Sequence, residues 1–400
     1  MKITIIGLNY HPEDTAIGLY TTQLSQYLSA NNFEVEVITG FPYYPEWKIA
    51  KDYQNKSKFE KETFGNISVR RYRQYVPQKP TFIKRILLLL DFTLGSLINS
   101  FKVKNTDLVI TIVPFTSAVF IGNVLARRKK AKHWVHIQDF EFDAAADTDL
   151  VSNKSRLFKI LFWIEKKLLN KADAVSTISN AMLAKLRTKV NSDIETYLLP
   201  NWVDVDNINP EKAQKHPYLK STKFKILYSG NIGEKQDWDF FLDVAKSLRE
   251  EEIEFIVIGS GSKKEWLKEK IKFLKNVEYY PPVPYEELSD LLCSADLHIL
   301  FQKSNVVDTV MPSKILGMMA SQKPSIITGN LKSEVAMVIQ ESQAGMYFES
   351  SDIKSVVNSI KSIQENPNDM GENARKFVMS KFSSNKILSE FLKNFNQIIA

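Results

Sequence analysis

Cysteine is nearly absent from this 400-residue chain, with Cys293 as its single example. One thiol excludes an intramolecular disulfide and fits a reducing compartment. Within Leu291-Leu292-Cys293-Ser294-Ala295 it reads as a small buried hydrophobe rather than a nucleophile. Histidine is scarce too, five in all. Neither a His-x-x-x-His pattern nor a paired-cysteine spacing occurs, so no metal is expected. Nor does any stretch reach the roughly 20 apolar residues of a membrane span. Ile86 to Ile98 comes nearest and is short and interrupted by Asp91. The opening apolar run, Ile3-Thr4-Ile5-Ile6, is too brief for a secretory leader and reads as a buried first strand. Low-complexity tracts and short repeats are missing, which argues against long disorder and against repeat architectures.

What is present describes an ordinary folded protein, 44% hydrophobic and 25% charged. Its length exceeds what one core usually organises, so two domains are expected. Apolar strand-like runs alternate with helical-period segments from end to end, the pattern of parallel sheets built from βαβ units. Strands are expected at Lys2–Gly7, Glu34–Thr39, Ile67–Tyr72, Leu108–Ile112, His133–Ile137, Ala174–Ile178 and Thr196–Leu199. A second series follows at Phe224–Ser229, Phe255–Gly259, Val277–Tyr280, Leu297–Phe301, Pro324–Thr328 and Gly345–Phe348. The polar stretch Asn207–Lys223 between them is the linker candidate. The expected division is therefore 1–205 and 206–372, two doubly wound Rossmann-like domains facing across a cleft, with a terminal helix over 373–400. Ligands of such sheets sit at the carboxyl ends of the strands.

Charge is unevenly distributed. Residues 1–200 hold 28 Lys+Arg against 19 Asp+Glu, net +9, so the remainder is net −2 in a chain of +7. An anionic partner of the first half is implied: a membrane surface, nucleic acid or a phosphorylated substrate.

Four segments carry candidate chemistry. After the first strand, Gly18 opens a helix where exposed amides favour a phosphate, although G-x-G-x-x-G spacing is absent. Tyr228-Ser229-Gly230-Asn231-Ile232-Gly233-Glu234-Lys235-Gln236 joins a strand to a helix. Two glycines and a lysine there form an anion cradle of the kind a departing diphosphate needs. The nearby Gly259-Ser260-Gly261 is weak by itself. His136-Ile137-Gln138-Asp139 ends a strand where catalytic groups collect, and either Asp139 or His136 can serve an acceptor hydroxyl. Finally, Pro312-Ser313-Lys314 opens a helix whose positive end suits a sugar or phosphate.

In this order the pieces resemble the GT-B retaining glycosyltransferases of family 4, over essentially the whole chain. Asn9-Tyr10-His11-Pro12-Glu13, Pro42-Tyr43-Tyr44-Pro45-Glu46-Trp47, His136–Asp139 and Ser229–Gln236 look most like the colanic-acid-type exopolysaccharide enzymes of bacteria. The resemblance implies a donor-phosphate role for Gly18 and Gly230, and a leaving-diphosphate role for Lys235. It places the nucleotide base near Val283 and the catalytic residue of the first domain at Asp139 or His136. Asn231 stands where the family often has arginine. The family's two glutamates, eight residues apart, register on Thr309 and Gly317, neither acidic, leaving Asp308, Ser313 and Lys314 as candidate donor contacts.

The activity so implied is metal-independent transfer from a UDP- or GDP-sugar to a polyprenyl-diphosphate-linked saccharide, with retention, in cell-surface polysaccharide synthesis. A membrane role also suits Thr81–Phe92, an unusually apolar segment flanked by cations that can lie in a bilayer interface. The expected location is the cytoplasmic face of the membrane, reached peripherally. Rival readings are a nucleotide-sugar epimerase on the same scaffold and a non-catalytic donor-binding partner. Nucleic-acid binding is suggested by pI ≈ 9.0 but lacks an interleaved aromatic-basic module.

Overall fold

The computed structural model describes residues 1–14, 16–114, 116–140, 156–305, 313–349, 352–366 and 368–399. It divides into two compact units, Met1–Pro200 with Leu388–Ala400, and Asn201–Ile387.

The first unit runs β1 (Lys2–Ile6), α1 (Ala16–Ala30), β2 (Glu34–Gly40), β3 (Phe59–Phe64), β4 (Ile67–Tyr72), α2 (Phe82–Phe101), β5 (Leu108–Val113) and α3 (Thr116–Lys129). It continues with β6 (Lys132–Ile137), α4 (Arg156–Leu169), β7 (Ala174–Thr177), α5 (Asn180–Lys189) and β8 (Glu195–Leu198). The sheet order is β3-β4-β2-β1-β5-β6-β7-β8. Its pairs are parallel except β3 with β4. Continuous apolar runs such as Leu-Val-Ile-Thr-Ile-Val in β5, buried throughout, form the central strands because helices cover both faces of a parallel sheet. Strand β3 has no apolar run and is not expected from the sequence. Phe59-Glu60-Lys61-Glu62-Thr63-Phe64 is a charged edge strand, closed onto β4 by a turn at Gly65, whose φ is +57°.

The second unit runs β9 (Phe224–Asn231), α6 (Trp238–Ser247), β10 (Ile253–Ser260), α7 (Lys264–Ile271), β11 (Val277–Tyr280), α8 (Leu288–Cys293), β12 (Leu297–Phe301) and α9 (Ser313–Ala320). Then come β13 (Ser325–Gly329), α10 (Glu334–Ser342), β14 (Gly345–Glu349), α11 (Ile353–Glu365) and α12 (Met370–Lys381), and last α13 (Ser384–Ile399), which from Leu388 onward belongs to the first unit. Its sheet, β11-β10-β9-β12-β13-β14, is all parallel. This is the doubly wound order, whose crevice opens where strand order reverses, here between β9 and β12.

Two sequence readings change. The polar stretch after Asn207 is packed into the second unit: Ile208 and Leu219 are buried, and Arg375 donates to the Val205, Ile208 and Ala320 carbonyls. The single terminal helix is two, broken at Phe382-Ser383, where Val203 pairs with Ser383. Beyond the break, Phe391 and Phe395 pack on Trp134 and Phe33 of the first unit. Among the described residues no helix is long and apolar enough to cross a membrane.

Candidate functional site

Strand β9 delivers the glycine loop to the switch point of the second sheet. At Gly230, φ is +147°, a conformation that side-chain-bearing residues rarely adopt. A Cβ built there would meet Lys314, at 3.5 Å from Cδ and 3.6 Å from Nζ, and the Tyr228 hydroxyl at 3.9 Å. The ammonium of α9 therefore hangs over the bare backbone of Gly230, 5.2 Å from the centroid of the Tyr228 ring. Gly230 and Lys314, 84 positions apart, are brought together because α9 enters beside the carboxyl end of β9.

The neighbouring strand explains the second glycine pair. Gly259 and Ser260 register with Gly230 and Asn231. A Cβ on Gly259 would stand 1.9 Å from the Gly230 carbonyl oxygen, and one on Gly261 2.4 Å from that of Ile232. The two strand ends crowd so closely that only glycine fits. This pair, weak as a motif, is what holds the loop.

Side chains complete the support. Tyr228 is buried and its hydroxyl donates to the Asn231 carbonyl at 2.6 Å. Burial pushes its ionisation far above the usual phenol range. Gln236 Oε1 accepts from Gly233 N, and Trp238 Nε1 donates to the Gly233 carbonyl, both at 3.1 Å. Asp237 caps α6 by accepting from Phe240 N at 3.1 Å, and Lys303 N donates to the Lys235 carbonyl. Tyr228 and Gln236 bound the strand–loop–helix segment read from the sequence, and with Trp238 they brace its turn through contacts three to five residues apart.

The other expected donor residues fall as follows. Asn231 and Lys235 lie exposed on the loop, and Ser313 is exposed at the start of α9. Val283 packs partly buried beyond β11. Asp308 and Thr309 lie outside the described residues. Gly317 is buried in α9, and a Cβ there would meet Leu292 at 3.2 Å. The position registered on the family's second glutamate thus faces apolar packing. Cys293 is half-buried with its thiol pushed up by burial.

In the first unit the two loop motifs fold onto one another. Buried Glu13 accepts from Tyr43 N and Tyr44 N at 2.7 and 2.8 Å, and from Asn9 at 2.8 Å. Burial holds its carboxyl above the ordinary value. A Cβ on Gly18 would lie 2.5 Å from the Glu13 carbonyl oxygen, so the fold itself requires glycine there. Arg71, 1% exposed, pairs with Glu62 and donates to the carbonyls of His11 and Gly40.

At the end of β6, His136 and Asp139 part company. The imidazole is buried, with Nδ1 2.9 Å from Ser176 Oγ and Nε2 2.9 Å from the Gln138 amide. Desolvation lowers its pKa from 6.5 to about 3, so it stays neutral and engaged on both nitrogens. Asp139, three residues on, is exposed.

Residues 15–202 match the family described as "Glycosyl transferase 4-like domain", and residues 210–377 match "Glycosyl transferases group 1". The Escherichia coli (strain K12) colanic acid biosynthesis glycosyl transferase WcaI is 32% identical over 352 residues, covering 85% of this chain and 86% of that protein. The chain belongs to the group 1 glycosyl transferases. Among more distant relatives of this group 1 enzyme, N-acetyl-alpha-D-glucosaminyl L-malate synthase of Bacillus anthracis is 24% identical over 98% of the chain and 96% of that protein. The fold is shared with sucrose-phosphate synthase from Thermosynechococcus elongatus, at TM-score 0.72, 15% identity and coverage of 99% and 98%. It is shared also with Anabaena HepE in complex with UDP-glucose, at TM-score 0.68, 12% identity and coverage of 99% and 100%. The group 1 enzyme is therefore a GT-B glycosyltransferase related to enzymes of bacterial polysaccharide synthesis.

Proposed function

We propose that this enzyme transfers a sugar from a nucleoside-diphosphate donor to a polyprenyl-diphosphate-linked saccharide, with retention at the anomeric carbon and without a metal. The observation that carries the donor half is the Lys314 ammonium over Gly230 at the switch point. Negative charge accumulates on the leaving diphosphate as the glycosidic bond breaks, and fixed cations and backbone amides stabilise it. In this reading Lys314 supplies the charge that Asn231 does not, alongside Lys235. Anabaena HepE, which shares the fold, binds UDP and UDP-glucose, which supports a nucleotide sugar. The resemblance assigns Gly18 to the donor phosphates, Val283 to the base, and Asp308 and Ser313 to further donor contacts.

For the acceptor hydroxyl we choose Asp139. Its exposure favours it over His136, whose neutral, doubly engaged ring suits a positioning role within the sheet. Retention and the lipid-linked acceptor come from the family resemblance. The apolar and basic character of the first unit supports an acceptor presented at an anionic membrane surface, on the cytoplasmic side.

The test combines donor binding with turnover. Thermal shifts with UDP- and GDP-sugars identify the base, since ligand at 100 times its dissociation constant stabilises by about 2.7 kcal/mol. Lys235→Ala should then lower turnover at saturating donor. Undiminished turnover would remove Lys235 from the leaving-group role, and conversion of donor sugar without acceptor would indicate epimerisation.

A further inference from the structure

Helix α2 is apolar on both sides. Its buried side carries Leu88 and Phe92 and then turns polar with Thr93, Ser96, Asn99 and Ser100, with Gly95 under the Tyr72 ring. Its exposed side carries Ile83, Leu87, Leu90, Leu94, Ile98 and Phe101, an unbroken stripe at helical spacing with Ile83 70% and Leu94 64% exposed. Asp91, the carboxylate that interrupts the run, is turned inward to accept from the Tyr72 hydroxyl and Tyr75 N.

The stripe has neighbours. Helix α3 is tied to α2 by Thr93–Ser117 and by Arg128 donating to the Ser100 carbonyl, at 2.7 Å each. It is tied to α4 by Asn123 donating to the Leu168 carbonyl at 3.0 Å. On this layer α3 exposes Phe120 and α4 exposes Ile160, Trp163 and Ile164, with Trp163 56% exposed. The cations Lys84, Arg85, Arg127, Arg128, Lys159, Lys166 and Lys167 are exposed on the same three helices. Their carboxylates number two, Asp91 and a buried Glu165 paired with Lys189 at 2.5 Å. Among the described residues, then, the three helices present apolar and cationic groups and no exposed acid.

We infer that α2, α3 and α4 form one bilayer-seated face, with the α2 stripe lying in the interface and Trp163 as a second anchor. Charge selects the occupant. A second copy would set cations against cations, whereas anionic headgroups complement the cationic groups while the apolar stripe enters the acyl boundary. Trp and Tyr prefer that boundary because the ring is apolar and the N–H is not. Lys167 lies 4.1 Å from the Trp163 ring centroid, so an ammonium on a long stem can stay at headgroup level above the indole. The inference gives the acceptor reading above its membrane contact, but binding is measured without donor or acceptor.

The experiment is co-sedimentation of the full chain with phosphatidylcholine vesicles, with and without phosphatidylglycerol. Wild type should bind the anionic vesicles, and less so as salt rises. Leu90→Ser with Leu94→Ser should weaken binding about tenfold or more, and Trp163→Ala should weaken it independently. Both positions are already exposed, so melting temperature and donor-induced thermal shift should be retained, which separates loss of this face from failure of the donor site. Absence of binding to anionic vesicles would overturn the inference, as would unchanged binding by the variants. A dimer in light scattering that Leu94→Ser dissociates would also overturn it, assigning the face to a second copy.

Discussion

Replacing Gly259 and Gly230 separately by alanine tests the architecture of the donor loop, because the two substitutions are expected to fail in different ways. At Gly259 the new methyl stands 1.9 Å from the Gly230 carbonyl oxygen and 3.0 Å from its carbon. Both atoms are backbone in a paired strand, so one strand end must recede by more than 1 Å. The φ of +157° adds a conformational cost of roughly 1–3 kcal/mol. Weakening the Ile232 N to Ser260 carbonyl bond, 2.9 Å long, costs about 1 kcal/mol more. The sum is about 3 kcal/mol, or roughly 6–12 °C in melting temperature for a domain of this size. At Gly230 the methyl makes ordinary contacts, with the flexible end of Lys314 at 3.5 Å and the Tyr228 hydroxyl at 3.9 Å, so stability should fall by roughly 1–3 kcal/mol, the conformational cost alone. Donor affinity should fall further, because the methyl occupies the space between backbone and ammonium. Scanning calorimetry and donor titration of both variants decide the matter. A Gly259→Ala protein as stable as wild type would refute the close approach of the strand ends. A Gly230→Ala protein with unaltered donor affinity would refute the site.

Three further outcomes follow from the same geometry. Lys314→Met should weaken donor binding about tenfold or more, as expected when a charge-assisted contact is lost; unchanged affinity in a donor titration would sink the assignment. His133, His136 and His298 are buried with pKa values lowered from 6.5 to about 4, 3 and 3. The unfolded chain therefore takes up protons first as pH falls, so the neutral-ring stability is complete above about pH 6.5 and is lost toward pH 4. The loss is about 1.4 kcal/mol per pH unit per group. Urea unfolding at several pH values should show this slope, and His136→Asn should reduce it by about one proton's worth. Arg71→Met leaves the carbonyls of His11 and Gly40 without this donor and removes one partner of Glu62, which keeps Tyr53 and Lys56, and should cost about 3 kcal/mol, read by thermal denaturation; a loss below about 1 kcal/mol would remove the network from any structural role.

The parallel-sheet architecture was legible because a strand buried on both faces must be written as a continuous apolar run, and β5 and β12 are such runs. Strand β3 escaped for the converse reason, since an edge strand half made of charged residues leaves no run to find. The loop at Gly230, the proposed anion cradle, was legible as a strand–glycine–lysine–helix sequence, a local arrangement. The unusual apolarity of Thr81–Phe92 was visible too, but its orientation was not: only packing shows that α2 buries Leu88 and Phe92 and leaves Leu87, Leu90 and Leu94 exposed. Gly259 and Gly261 gained their meaning from register with β9, a long-range fact. His136 and Asp139 were equal candidates in sequence and were separated by the end of one strand, which buries the first and exposes the second. The sequence by itself determined the two sheets and the family. Tertiary structure alone decided which groups stand near Gly230 and which are withdrawn into the core, because proximity there depends on strand order rather than on distance along the chain.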